Sequence, residues 1–159
     1  MILYLENMPI KSSITSGVEI IVKPIFRKDL SNPENNTFVY NYHITIKNDN
    51  KYPIQLLSRK WVIKDSLNQP LWVEGEGVIG QQPTLFAGES FEYISGAEIN
   101  GFIGEMYGQY TFKNSWENKL FEVDIPVFKL EYPSALNWLN FNPQYQNIIN
   151  LFVGALPLC

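Results

Sequence analysis

Residues 38–46 read Phe38-Val39-Tyr40-Asn41-Tyr42-His43-Ile44-Thr45-Ile46, and this stretch decides the fold class. Every even position is aromatic or isoleucine; the odd positions carry Val39, Asn41, His43 and Thr45, and Lys47 follows in the same phase. Side chains of an extended chain alternate between two faces, so a period of two predicts a strand with one buried and one wet face.

Working outward, residues 31–36 (SNPENN) have loop chemistry, and residues 18–26 (VEIIVKPIF) form a strand-like run. Pro24 confines that run to a sheet edge or a bulge. Downstream, Asn48-Asp49-Asn50 predicts a turn and residues 54–64 another strand. Its odd face holds Leu57, Trp61 and Ile63, while its even face mixes Leu56 and Val62 with Ser58 and Lys60. Shorter strands are expected at 71–73, 91–95, 106–112 and 120–130, the last interrupted by Pro126; residues 74–90 are loop-rich. Strands without intervening helices predict an all-β, two-sheet antiparallel sandwich of about seven or eight strands. From Ser134 the pattern changes. Tyr145, Ile148, Ile149 and Phe152 share one helical face, which predicts a short helical tail. The chain thus divides into a sandwich, 1–137, and an apolar tail, 138–159, that packs on the domain's own sheet or on a partner, a homodimer included.

Composition narrows the function. A chain of 159 residues is near the commonest size of one domain, and one core can hold it without metal or disulfide staples. Formal net charge is −4, and no cationic cluster exceeds Arg27-Lys28 or Arg59-Lys60, so nucleic acid is not an expected partner. The lone Cys159 suits a reducing compartment. The opening residues lack a basic n-region, and the longest apolar run, 151–158, is far short of a membrane span. A cytoplasmic protein without membrane contact is expected.

Residues 55–83, QLLSRKWVIKDSLNQPLWVEGEGVIGQQP, resemble the ApaG domain family, in which a Q-L-L-S-R-x-W strand leads to G-x-G-V-x-G-x-Q-P. Residues 87–93 (AGESFEY), Ser95-Gly96, residues 104–110 (GEMYGQY) and residues 125–128 (IPVF) match in order. The resemblance spans roughly Gly17 to Asn137. It implies an immunoglobulin- or fibronectin-type-III-like sandwich, an association with cobalt and magnesium resistance, and use as a partner-recognition module; it carries no catalytic mechanism. The family pattern has His where this chain has Lys60, Pro where it has Ala87, and a Thr-Pro pair near residues 100–103.

Gly75-Glu76-Gly77-Val78-Ile79-Gly80 satisfies G-x-G-x-x-G, but no helix follows, so a dinucleotide site fails on context. The glycines then serve a tight turn or bulge, or a backbone nest for an anion with Arg59 as counter-charge. Metal chemistry has one His and one Cys to draw on. Only Glu74, Glu76, Glu89, Glu92 and Glu105 suggest a hard cation. His43 lacks a motif that would make it a general base. The aromatics Trp61, Trp72, Tyr93 and Tyr110 are expected in the core with Arg59 paired to Glu89 or Glu92, or else lining a groove between the sheets. The reading is a non-enzymatic module without cofactor that recognises a protein or small ligand, with Arg59, Gly75, Gly77, Gly80, Gln82, Glu89 and Tyr93 as candidate ligand-binding residues. The alternatives are a phosphate- or nucleotide-binding domain using residues 75–80, and a divalent-cation-responsive protein.

Overall fold

The computed structural model describes residues 8–133. They form nine strands: β1 Lys11–Thr15, β2 Val18–Phe26, β3 Phe38–Asn48, β4 Ile54–Asp65, β5 Leu71–Glu76, β6 Thr84–Leu85, β7 Ser90–Ile99, β8 Ile103–Asn114 and β9 Lys119–Glu131. One antiparallel sheet runs β1-β2-β3-β7, the other β5-β4-β8-β9, with β6 also paired to β4. The expected sandwich is what the chain adopts. The helical tail and the 138–159 unit lie outside the described residues. No helix among those described is long and apolar enough to cross a membrane.

The alternation that opened the reading holds along all of β3: Phe38, Tyr40, Tyr42, Ile44 and Ile46 are buried, and the residues between them are half-buried. Pro24 lies beyond the end of β1, whose pairing stops at Lys11 with Val22, so its missing N–H falls where β2 has one neighbour. The mixed faces of 54–64 have a simple cause. The β4–β8 register shifts between Leu56 and Ser58, a bulge that inserts Leu57. One extra residue reverses which face points inward. Ile54 and Leu56 are buried before it, and Trp61 after it. A second shift, between Met106 and Gly108 on β8, falls opposite Pro126 and Val127 on β9; Val123 and Ile125 are buried before it, Phe128 and Leu130 after.

Aromatic rings tie the sheets together. Trp61 meets Tyr110 and Phe128 edge-on, with centroids 6.3 and 6.0 Å apart, and Tyr42 at 5.4 Å. Each such pair contributes about 0.5–1.5 kcal/mol beyond its area burial. β1, a polar segment the periodicity did not flag, lies against the edge of β9. Ser13 Oγ donates to Asp124 O at 2.8 Å, and Asp124 N donates to Thr15 Oγ1 at 3.4 Å. Side chains thereby satisfy part of an edge that would otherwise offer its backbone to another chain.

Candidate functional site

The Leu57 bulge places Arg59 on the inner face. There it sits between Gly75 on β5 and Tyr110 on β8, its register partners on either side. Gly75 eases that approach: a Cβ would lie 3.1 Å from Arg59 Nη1 and 3.3 Å from Cζ, so the guanidinium would have to shift by a few tenths of an ångström. The guanidinium passes over the glycine, and Nη1 donates to Glu76 O at 3.0 Å and Gly77 O at 2.6 Å. Arg59 therefore grips backbone carbonyls, and not Glu89 or Glu92 as the sequence suggested. Glu89 Oε2 accepts from Phe86 N at 2.9 Å within its own turn, and Glu92 lies against His43.

Next to this grip the chain reverses at Val78-Ile79-Gly80-Gln81. Val78 N donates to Gln81 O at 2.8 Å and Gln81 N to Val78 O at 2.9 Å. Both central residues have positive φ, 44° at Ile79 and 75° at Gly80, so this is a two-residue type I′ turn. Gly77, at φ 55°, has no room for a side chain, since a Cβ would be 2.1 Å from Gln81 O. The loop is pinned to the bulge: Leu57 O accepts from Gly77 N at 2.7 Å and from Gln82 Nε2 at 2.8 Å. The candidates Arg59, Gly75, Gly77, Gly80 and Gln82 thus form one assembly on the β4–β5 edge.

Tyr93 approaches it from the other sheet. Its hydroxyl meets that of Tyr110 at 2.5 Å, with both rings buried. Burial pushes the Tyr93 and Tyr110 hydroxyls well above the ordinary phenol range, against the opposing pull of the Arg59 charge. Burial also raises Tyr42, countered by its hydrogen bond with Ser95 and by Arg59. Glu89 stands apart, in the turn before β7 that Asn48 fastens. Trp72 is not core: it is 67% exposed on β5.

These contacts bear on each chemistry the sequence offered. An anion nest needs inward-facing N–H groups, yet the amides of Gly77, Val78 and Gln81 already donate within the chain, and Arg59 faces carbonyls. Exposed Glu74 and Glu76 flank the loop with negative charge. Among the described residues no group of three or more His, Cys, Asp or Glu side chains could hold a metal ion. Glu105 is paired with Lys64 at 3.0 Å. His43 Nε2 lies 3.1 Å from Glu92 Oε2 on an outer face, and Thr45 Oγ1 donates to the same carboxylate, so no hydroxyl is placed on the imidazole. The feature that sequence reasoning missed is Ile79, an apolar, β-branched residue 53% exposed at a turn tip in the left-handed region. Its signal was there: Val-Ile-Gly stands where a I′ turn favours Asn-Gly.

A family model described as the ApaG domain matches residues 28–114. Protein ApaG of Brucella anthropi is 42% identical over 128 residues, covering 80% of this chain and 98% of that protein. Protein ApaG of Parvibaculum lavamentivorans is 39% identical over 129 residues, covering 81% of this chain and 98% of that protein. The crystal structure of an ApaA protein from Bordetella pertussis superposes with a TM-score of 0.69 at 35% identity, covering 79% of this chain and 97% of that one. With the sandwich, the 55–83 segment and these matches in agreement, the chain belongs to the ApaG family.

Proposed function

We propose that this chain is a non-catalytic, cytoplasmic recognition module that presents the 78–81 turn to a protein partner. The observation that carries the reading is Ile79. A β-branched residue at positive φ costs about 1–2 kcal/mol relative to one that tolerates it. Its side chain returns little of that through burial, because it is half in solvent. Strain held at an exposed apolar tip, on a loop fixed by Arg59 and Gln82, gives a preorganised knob that loses little entropy on binding.

The test joins stability to capture. Ile79→Asn keeps the turn and relieves the strain, so it is expected to stabilise the domain by about 1 kcal/mol in urea unfolding. A photo-crosslinking amino acid at position 79 should trap one defined protein in cells, whereas the same group at the exposed Ile94 should not. The reading fails if Ile79→Asn leaves stability unchanged and the two positions trap the same background. Saturating amide shifts at residues 75–80 with pyrophosphate would replace it with anion binding.

A further inference from the structure

The outer face of the β5-β4-β8-β9 sheet carries an apolar strip that crosses all four strands. Val62 is paired in register with Trp72 on one side and Tyr107 on the other, and Val127 on β9 continues the row. Val62 is only 4% exposed although it points away from the core, whereas Trp72 and Val127, at the ends of the strip, are 67% and 52% exposed. The strip lines a depression of about 360 Å³. Charged rows frame it. Lys60 opposes Glu74 and Gln109 bonds Asp124 at 3.0 Å on one side; Lys64 bonds Glu105 at 3.0 Å, with Lys129 opposite, on the other. Lys64 also lies over the Tyr107 ring at 5.1 Å.

We infer that this strip is the docking site of the chain's own segment 134–159. Three facts select that occupant. The segment contains no Asp, Glu, Lys, Arg or His, so every charged side chain of the protein precedes it. It carries Leu136, Trp138, Leu139, Ile148, Ile149 and Phe152. Such a composition is the reverse of a solvated tail, which relies on charge and low hydrophobicity. It begins three residues past Glu131, the end of the strand that contributes Val127. Four residues of strand span about 13 Å, so a short connection returns the segment to the strip, and the tether supplies an effective concentration of about a millimolar. An uncharged segment covers the apolar row without opposing either sign of charge in the flanking rows.

The experiment is paramagnetic relaxation on the whole chain, with Cys159→Ser removing the native thiol and Asn147→Cys carrying a nitroxide. Docking should at least halve the amide intensities of Lys60, Val62 and Tyr107 and that of the Trp72 indole. Signals of Glu19, Thr45 and Ile94 on the opposite sheet should keep theirs. Trp72→Asp, at an exposed position, should restore the lost intensities while the sheet spectrum stays intact. Broadening on the opposite sheet, or none, overturns the inference. Broadening that appears when unlabelled ¹⁵N chain is mixed with spin-labelled ¹⁴N chain also overturns it, in favour of a second copy on this face.

Discussion

Alkali should unfold this domain steeply, and the buried tyrosines set the slope. Tyr40 and Tyr110 are fully buried and Tyr93 is 5% exposed. Burial is the leading cause that raises all three above their ordinary value; Tyr40 also faces the charges of Glu131 and Asp65. The sign follows. A phenol whose folded pKa is raised stays protonated in the fold, while the unfolded chain releases that proton above about pH 10. The unfolded state then binds fewer protons, so stability falls as pH rises, by about 1.4 kcal/mol per unit for each such group. These three give about 4 kcal/mol per unit, to which Tyr42, also raised by burial, adds, and below about pH 9 the contribution is constant. Against a net stability near the low end of the usual range of about 5–15 kcal/mol, the domain should unfold a little above about pH 11. Urea midpoints measured from about pH 8 to 11 give the slope, and tyrosinate absorbance should appear with the loss of sheet signal. Tyr93→Phe combined with Tyr110→Phe removes both ends of one hydrogen bond and should leave stability at neutral pH nearly unchanged. It should also cut the alkaline slope by about two tyrosines' worth, leaving the shares of Tyr40 and Tyr42. An unfolding free energy that falls by less than about 1 kcal/mol over the window, or tyrosinate forming while the sheet persists, refutes the reasoning.

Two further substitutions test the frame around the glycine loop. Arg59→Ala removes both bonds to the Glu76 and Gly77 carbonyls and should cost about 1.5–3 kcal/mol by urea unfolding; Arg59→Lys, lacking the fork, should recover little. An unchanged midpoint would show that Arg59 does not hold the loop. Asn48, fully buried, donates to Tyr52 O, Leu85 O and Phe86 O and accepts from Asn50 N. Asn48→Ala should cost about 3 kcal/mol and speed hydrogen exchange in both adjoining turns; a loss under about 1 kcal/mol would mean that water replaces the amide.

How much of this was legible depends on whether one strand or several decided it. β3 was readable because its alternation is unbroken and all its inward residues meet one core. The 54–64 run looked ambiguous because two phases were superposed. The bulge at Leu57 exists only through the pairing of β4 with β8, which periodicity within one segment does not contain. β1 was invisible for a related reason. Its Ser13 and Thr15 stabilise the edge of β9 through hydroxyl-to-backbone bonds, with almost no apolar burial. Arg59 stood out in the sequence, but carboxylates were the obvious partners for a guanidinium, and it bonds backbone carbonyls instead. Its turn towards carbonyls follows from Gly75 opening the path across β5. Trp72 was misplaced because aromatic content alone does not say which face of an edge strand a residue occupies.

Ile79 and its frame can be weighed against each other. Positive φ at a β-branched residue costs about 1–2 kcal/mol, and an isolated turn would relax away from it. Arg59 gives the loop charge-assisted bonds worth about 1.5–3 kcal/mol, and the two bonds to Leu57 O add about 1 kcal/mol each. The restraints therefore match or exceed the strain, so the turn stays in its unfavourable conformation. All of them arise from residues 55–83, the stretch that carries the family resemblance, and all converge on a tip whose own side chain they leave outside. A loop built only to connect β5 to β6 would need neither the strain nor the restraints, because Asn-Gly at the tip would close the same turn unaided. The excess of restraint over structural need is what supports the proposal of a recognition tip at residue 79, away from the interior tyrosines, which the fold itself consumes.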